Sequence, residues 1–164
     1  MLNEKMEETL NSQLNFEIYS SYIYFSMSAY FNSINLPGFA SWMQAQTQEE
    51  LVHTMKLYNY INEKGGRIKL DQIDKPPEEW ASPLAAFEHA LSHEKIVTGR
   101  INDLIKLADD LKDQDTHNVL QWFVKEQVEE EESVGKVVQK LKQKGDTSDG
   151  MDTLDQELGT RGSA

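Results

Sequence analysis

Apolar residues recur at intervals of three and four along most of the chain, a spacing typical of amphipathic α-helices. Glycine and proline are scarce and lie mainly at the joints between these runs, where they begin or end helices. The pattern therefore predicts an all-α protein with four long helices. The four predicted helices cover residues 4–32, 38–64, 82–112 and 116–144.

The connections between the predicted helices differ in length, and this difference predicts the topology. Residues 33–38 and 113–115 read as short turns, so helices one and two are expected to be antiparallel, as are helices three and four. The 16-residue stretch 67–82 contains Pro76 and Pro77 and reads as an extended connection. Extended, it would span about 40 Å, enough to cross the whole bundle. Helix three can then run parallel to helix two, in a four-helix bundle with one long crossover.

A short fifth helix is predicted after the bundle, because Met151, Leu154 and Leu158 form one apolar stripe. A four-helix core has no obvious place for this stripe, so we expect it to be exposed and to form an interface between subunits. The tail shows no pattern. The predicted division of the chain is therefore a bundle over 1–145, a short helix over 146–159 and a tail over 160–164.

Polar residues interrupt the inward stripe of every long helix. The first of them on each helix lies 12 or 13 residues from the helix start. At 1.5 Å per residue this is about 18–20 Å along a helix of about 40 Å, so the four positions meet near mid-height whichever way a helix runs. The interrupting residues are Glu17, Glu50, His53, Glu94, Gln127 and Glu130.

Several carboxylates within a few ångströms repel one another, and burying an unpaired carboxylate is costly. Two divalent cations would remove both problems, and mixed carboxylate and imidazole ligands suit iron, manganese or zinc better than magnesium. Any one of these residues alone would be explained as a solvated or hydrogen-bonded polar group. Six of them at one height on four helices favour a dinuclear metal site.

Composition excludes several other functions. The formal net charge is −12, and binding nucleic acid requires a basic face. Cysteine is absent, which excludes disulfides, thiolate metal sites and thiol nucleophiles. The first residues lack the layout of a signal peptide, and no apolar run approaches 18 residues. A cytoplasmic protein without membrane contact is therefore expected.

Four stretches together resemble the prokaryotic non-haem ferritins over almost the full chain: NFEIYSSYIYFSMSAYF, QEELVHTMKLYNYI, FEHALSHEK and LQWFVKEQVEEEE. The resemblance implies a ferritin-like bundle that assembles into a hollow cage, most often of 24 identical subunits. It also implies a ferroxidase, which oxidises Fe(II) with O₂ or H₂O₂ and stores the ferric product as a mineral.

The resemblance further implies roles for individual residues. Glu17, Glu50 and His53 would hold a first iron, and Glu50 would bridge to a second. Residues implied at or beside the second iron are Glu94, Glu130 and Gln127. A third iron site would use Glu49, Glu126, Glu129 and Glu130, although the acidic run 129–132, which contains the last two, also reads as a solvated helix face. Tyr24 would stand beside the centre as an electron donor, or would be a core tyrosine with a bonded hydroxyl.

Sequence differences from related families narrow the prediction of the cofactor. Val52 stands where haem-containing bacterioferritins place a haem-ligating methionine, and Gln127 and Glu130 replace their second Glu-x-x-His, so no haem is expected. The three remaining histidines lie off the ligand stripe and are expected at the surface or its boundary: His89, His93 and His117. Two other functions stay open. One is a soluble di-iron oxidase or peroxidase that stores no mineral, and the other is a structural bundle with a zinc pair, which would consume no O₂.

Overall fold

The computed structural model describes residues 1–161, and this part of the chain contains five α-helices and no strand. The predicted fold class is confirmed, with helix ends shifted by a few residues. No described helix is both long enough and apolar enough to cross a membrane. The helices are α1 (Glu4–Ser33), α2 (Pro37–Glu63), α3 (Pro83–Asp110), α4 (Gln114–Lys144) and α5 (Ser148–Leu158).

Two helices begin earlier than predicted, for local reasons. The α2 helix begins at Pro37, inside the predicted turn, because the fixed φ of proline suits the first helical position. The α4 helix begins at Gln114, because the side chain of Asp113 accepts a hydrogen bond from the Thr116 N–H and so caps the helix.

The crossover between α2 and α3 lies along α1 and runs in the same direction. Side chains of Asn11 and Asn15 bond the backbone of residues 67–71, and further along α1 the Ser26 hydroxyl donates to the Pro77 carbonyl. The crossover therefore returns the chain to the end of the bundle where α2 began. The α3 helix then runs parallel to α2, which confirms the predicted topology.

The bundle core consists of two apolar clusters with a polar layer between them. One cluster includes Phe31, Phe39 and Phe87 near one end, and the other includes Leu57 and Phe123 near the opposite end. On each long helix the interrupting carboxylate or amide lies between residues of the two clusters. The mid-height position predicted by counting residues is therefore confirmed.

The apolar spacing in the sequence of α1 also includes Phe25 and Ala29, but both side chains are exposed, that of Phe25 by 60%. The buried arc of α1 is centred on Glu17, Tyr24 and Phe31, which are seven residues apart and therefore share a face. Phe25 lies about 100° round the helix from Tyr24, which turns its ring to the surface.

The α5 helix packs into the bundle, so the expected exposed stripe is wrong. Leu154 and Leu158 are buried in the same apolar cluster as Phe39. The two helices approach closely because Gly38 has no side chain: a Cβ there would lie 1.7 Å from the Asp155 carbonyl oxygen. Asp155 Oδ1 also accepts a hydrogen bond from the Phe39 N–H at 3.0 Å, which caps the start of α2. Of the predicted tail, residues 162–164 lie outside the described residues.

Candidate metal centre

The polar layer brings acidic and imidazole groups from all four long helices together. Three sets of residues each present ligand atoms that lie within 4.8 Å of one another. Glu50 belongs to two of the sets, and so links them. The sets are Glu17 with Glu50 and His53, Glu50 with Glu94 and Glu130, and His53 with Glu126 and Glu130.

His53 lies between the carboxylates of α2 and α4. Its Nδ1 atom is 3.3 Å from Glu50 Oε2, and its Nε2 atom is 3.6 Å from Glu126 Oε1 and 3.9 Å from Glu130 Oε1. These separations exceed those of strong charge-assisted hydrogen bonds, about 2.7–2.9 Å. The Trp122 ring packs edge-on against the imidazole.

Two glutamines hold three of these carboxylates in place. Gln13 Nε2 donates to Glu17 Oε1 at 2.7 Å. Gln46 Nε2 donates to Glu130 Oε2 at 2.6 Å and to Glu50 Oε1 at 3.3 Å. Sequence reasoning assigned neither glutamine a role in the site. A signal was present, since each lies four residues before a buried carboxylate and therefore one turn away on the same helix face.

Glu94 accepts hydrogen bonds at both carboxylate oxygens. The Tyr24 hydroxyl donates to Oε1, and Gln127 Nε2 donates to Oε2 at 3.0 Å. Gln127 Nε2 also lies 3.3 Å from the Thr98 hydroxyl. Both residues predicted beside the centre therefore contact the same carboxylate.

Burial makes the negative charge of this layer costly, and it raises the pKa of Glu17, Glu50 and Glu94. Burial, followed by the charge of Glu94, raises the pKa of Glu130 to about 8. Glu17 Oε2 is also buried and accepts no hydrogen bond within the described chain, while Glu50 is close enough to share a proton with it. An unpaired buried oxygen beside carboxylates that resist ionisation is suited to a cation. The donor set of oxygens and one imidazole fits iron, manganese or zinc.

Residues predicted for a third metal position are only partly brought together. Glu126 is half-buried and joins Glu130 beside His53. Glu49 is 47% exposed, and Glu129 is exposed on α4. Glu49 Oε2 lies 2.9 Å from a guanidinium nitrogen of Arg161, in the part of the chain where the sequence pattern gave no signal.

His93 is buried, which corrects the expectation of a surface or boundary position. Its Nε2 atom lies 2.7 Å from the Ser20 hydroxyl, and its ring stacks on Phe16. Burial lowers the pKa of His93 to about 4, so the ring is neutral near pH 7. The residue faces α1 beside the ligand stripe and does not enter it. His89 and His117 do lie at the boundary, as predicted.

Comparisons with known proteins agree with this architecture. Residues 7–144 match the family model described as Ferritin-like domain. The chain is 41% identical over 161 residues to a bacterial non-heme ferritin of Bacteroides fragilis, covering 98% of this chain and all of that one. It is 35% identical over 160 residues to a bacterial non-heme ferritin of Escherichia coli O157:H7, covering 98% and 97%. Among solved structures, an open pore ferritin from the hyperthermophilic archaeon Archaeoglobus fulgidus superposes with a TM-score of 0.97, at 52% identity, covering 98% and 99%.

Proposed function

The chain belongs to the non-haem ferritin family, and from this premise we propose that it oxidises Fe(II) at a dinuclear centre within each subunit and stores the ferric product. Family membership supports iron storage in general. The ferroxidase step is supported by one observation above all, the two donor sets that share Glu50. A shared carboxylate is what two neighbouring cations need if they are to react together with one oxidant.

The proposed ligand roles follow from the two sets. Glu17 and His53 hold the first Fe(II), Glu94 and Glu130 hold the second, and Glu50 bridges them. Gln127 is a hydrogen-bond donor to Glu94 and keeps that carboxylate in place. Iron supplies the redox chemistry, and the protein supplies oxygen ligands that can hold both oxidation states.

Iron binding is proposed to displace protons from the centre. Glu130, with a pKa of about 8, is largely protonated near pH 7, and burial also raises the pKa of Glu17 and Glu50. Divalent cations compete with these protons, so uptake of Fe(II) should release acid. Tyr24 is the proposed source of an additional electron for the reduction of O₂, because its hydroxyl contacts Glu94, which would accept the phenolic proton as the electron passes to the oxidant.

A third iron position is proposed next to the second one, on Glu126 and Glu130, whose carboxylates lie together beside His53. Glu126 is half-buried, so this position lies between the centre and solvent and offers a path along which iron leaves. Glu49 and Glu129 are exposed on α2 and α4 and would assist transfer of iron to the mineral.

Assembly into a cage, of 24 subunits by analogy with the family, is supported by an apolar face on the outside of the bundle. Leu51, Met55 and Tyr58 are exposed and lie at four- and three-residue spacing along α2, so they form one stripe. Tyr22 and Phe25 are exposed on α1, which packs against α2. Exposed apolar side chains grouped on one helix mark a protein interface more often than isolated ones.

Anaerobic Fe(II) titration, followed by O₂ consumption and measurement of retained iron, tests the proposal. The wild type should bind at least two Fe(II) per subunit and retain many more iron atoms than it has ligand sites. Glu50→Ala should lower the initial oxidation rate by about 100-fold or more, because both metal positions lose a ligand. The control is Glu132→Ala, which removes an exposed carboxylate that pairs with Lys136.

The same measurements separate the alternatives. A soluble di-iron oxidase would consume O₂ but retain no more iron than its ligand sites. A structural zinc bundle would consume no O₂ with Fe(II). Oxidation by Glu50→Ala at the wild-type rate would contradict the assignment of Glu50 as the bridge.

A further inference from the structure

Arg161, just beyond α5, reaches back to α2 and is held there by several contacts. One guanidinium nitrogen donates to Gln46 Oε1 and to Glu49 Oε2, both at 2.9 Å. The guanidinium stacks over the Trp42 ring at 4.0 Å and lies 3.4 Å from the Trp42 carbonyl oxygen. The side chain is only 21% exposed. A planar cation stacked on an aromatic ring and bonded in its plane is well fixed.

Gln46 connects this cation to the metal centre. Its carbonyl oxygen accepts from Arg161, so its amide nitrogen turns toward Glu50 and Glu130 and donates to both. The fixed amide therefore cannot offer its oxygen to a metal ion.

We propose that Arg161 is an internal cation that weakens metal binding at the outer edge of the centre. The inference rests on the proposed function and concerns the third position, on Glu126 and Glu130. With Arg161 in place, the Glu49 carboxylate is paired with the guanidinium and the Gln46 carbonyl oxygen faces Arg161. A further ion therefore gains neither group as a ligand. The positive charge beside the exposed Glu49 also opposes binding of a further cation at this outer edge, where Glu126 is only half-buried. Arg161 thereby favours two tightly bound ions and leaves a third loosely held.

The contacts that hold α5 are separate from those of Arg161, which makes the inference testable. The helix is anchored by Asp155, by the close approach at Gly38 and by an ion pair between Lys140 and Glu157. None of these residues belongs to the three donor sets. Loosening α5 and removing the cation are therefore distinct perturbations.

The experiment is an anaerobic titration of the full chain with Co(II), followed by calorimetry and by the visible absorption of bound cobalt. Arg161→Gln should leave the first two Co(II) ions unchanged and tighten the third by about three- to tenfold, the range expected when an ion pair no longer has to be broken. Arg161→Met, which keeps an aliphatic stem over Trp42, should act in the same way. Arg161→Lys keeps the charge but not the planar stacking, so its third-ion affinity should lie closer to that of the wild type than to that of Arg161→Gln.

Lys140→Gln is the matched control, because it removes an ion pair of α5 without changing the surroundings of Arg161. It should leave all cobalt affinities unchanged. A third-ion affinity that is the same in Arg161→Gln and in the wild type would overturn the inference, as would equal tightening in Lys140→Gln or in Arg161→Lys. A wild type that fails to bind the first two ions would instead overturn the proposed function, and the inference with it.

Discussion

The charge of a buried glutamate in this centre can be offset by a hydrogen bond from an amide or hydroxyl group, or removed by protonation. Glu94 accepts from two neutral donors, whereas one oxygen of Glu17 accepts from no amide or hydroxyl group of residues 1–161. The pKa of both groups is raised, since hydrogen bonds to neutral donors offset burial only in part. In the metal-free protein, burial therefore favours the binding of protons by these carboxyl groups.

The pH dependence of metal-free stability follows from the direction of these shifts. A carboxyl whose pKa is raised by folding holds its proton in the native state after the unfolded chain has lost its own. Its stabilising effect is complete below the unfolded pKa and is lost as pH rises through the folded pKa. For Glu130 this window runs from 4.5 to about 8. We expect the free energy of unfolding of the metal-free protein to fall by about 2–4 kcal/mol across it.

Urea unfolding of the metal-free protein at several pH values measures this change. Glu130→Gln should flatten the slope between pH 4.5 and 8, because the amide can still accept from Gln46 and does not titrate. His93 acts in the opposite direction: its lowered pKa costs stability as pH falls from 6.5 toward about 4. A Glu130→Gln variant with the wild-type slope would show that Glu130 is already ionised in the native protein.

His53→Ala should distinguish the two metal positions. The imidazole belongs to the donor set of the first ion but not to that of the second, so affinity for the first should fall by about 10- to 100-fold, with a smaller effect on the second. Anaerobic Co(II) titration gives both affinities. The control is His117→Ala, since His117 pairs with Asp109 away from the centre. Equal losses at both positions would contradict the assignment.

For the residues of this centre, the sequence predicts the positions of the carboxylates better than those of the neutral amides. A carboxylate such as Glu50 on an apolar stripe is conspicuous, because its burial must be compensated. Gln46 on the same stripe is not, because a core amide needs only hydrogen bonds. The position of Arg161 depends on how the chain turns after α5, which no periodicity encodes. The burial of His93 depends on Phe16 and Ser20 of another helix.

Among the elements, the α5 helix was predicted correctly, but the prediction that its apolar stripe is exposed was wrong. The stripe of Leu154 and Leu158 was identified from spacing, but spacing cannot say which partner covers it. Residues near the start of α2 provide the cover, and Gly38 allows the backbones to approach closely enough. The α5 helix is therefore packed onto the bundle through its own chain.

Gly38→Ala should loosen the packing of α5. The added methyl group would overlap the Asp155 backbone, and we expect a loss of about 3 kcal/mol in the free energy of unfolding. Thermal and urea unfolding measure the loss. The control is Gly135→Ala in α4, where a Cβ meets no atom within 4 Å and the higher helix propensity of alanine should stabilise by about 1 kcal/mol. Equal stability of Gly38→Ala and the wild type would show that α5 shifts without penalty.

For the whole molecule, the length of the crossover was enough to predict topology. Residues 67–82 must span the bundle, and hydrogen bonds from Asn11 and Asn15 fix their path along α1. The number of subunits has no such signal in one chain. It depends on the angles at which exposed faces meet, and these angles are properties of the assembled surfaces.

Met55→Lys should reduce assembly, because it places a charge in the middle of the exposed stripe on α2. Light scattering should show a smaller species than the wild type, with unchanged helical circular dichroism. The control is Ile96→Lys on α3, where the apolar side chain is exposed outside this stripe. A full-sized assembly of Met55→Lys would place the subunit contacts elsewhere on the surface.

The proposed ligands are divided between two helical hairpins, one formed by α1 and α2 and the other by α3 and α4, and this division has a further consequence. Glu17, Glu50 and His53 come from α1 and α2, whereas Glu94 and Glu130 come from α3 and α4. The only covalent link between the hairpins is the crossover, where residues 74 and 75 are exposed. If a protease cut the chain there, a metal ion bound by both fragments would favour their association by mass action. The cleaved protein would then be a pair of peptides whose reassembly reports the concentration of free metal.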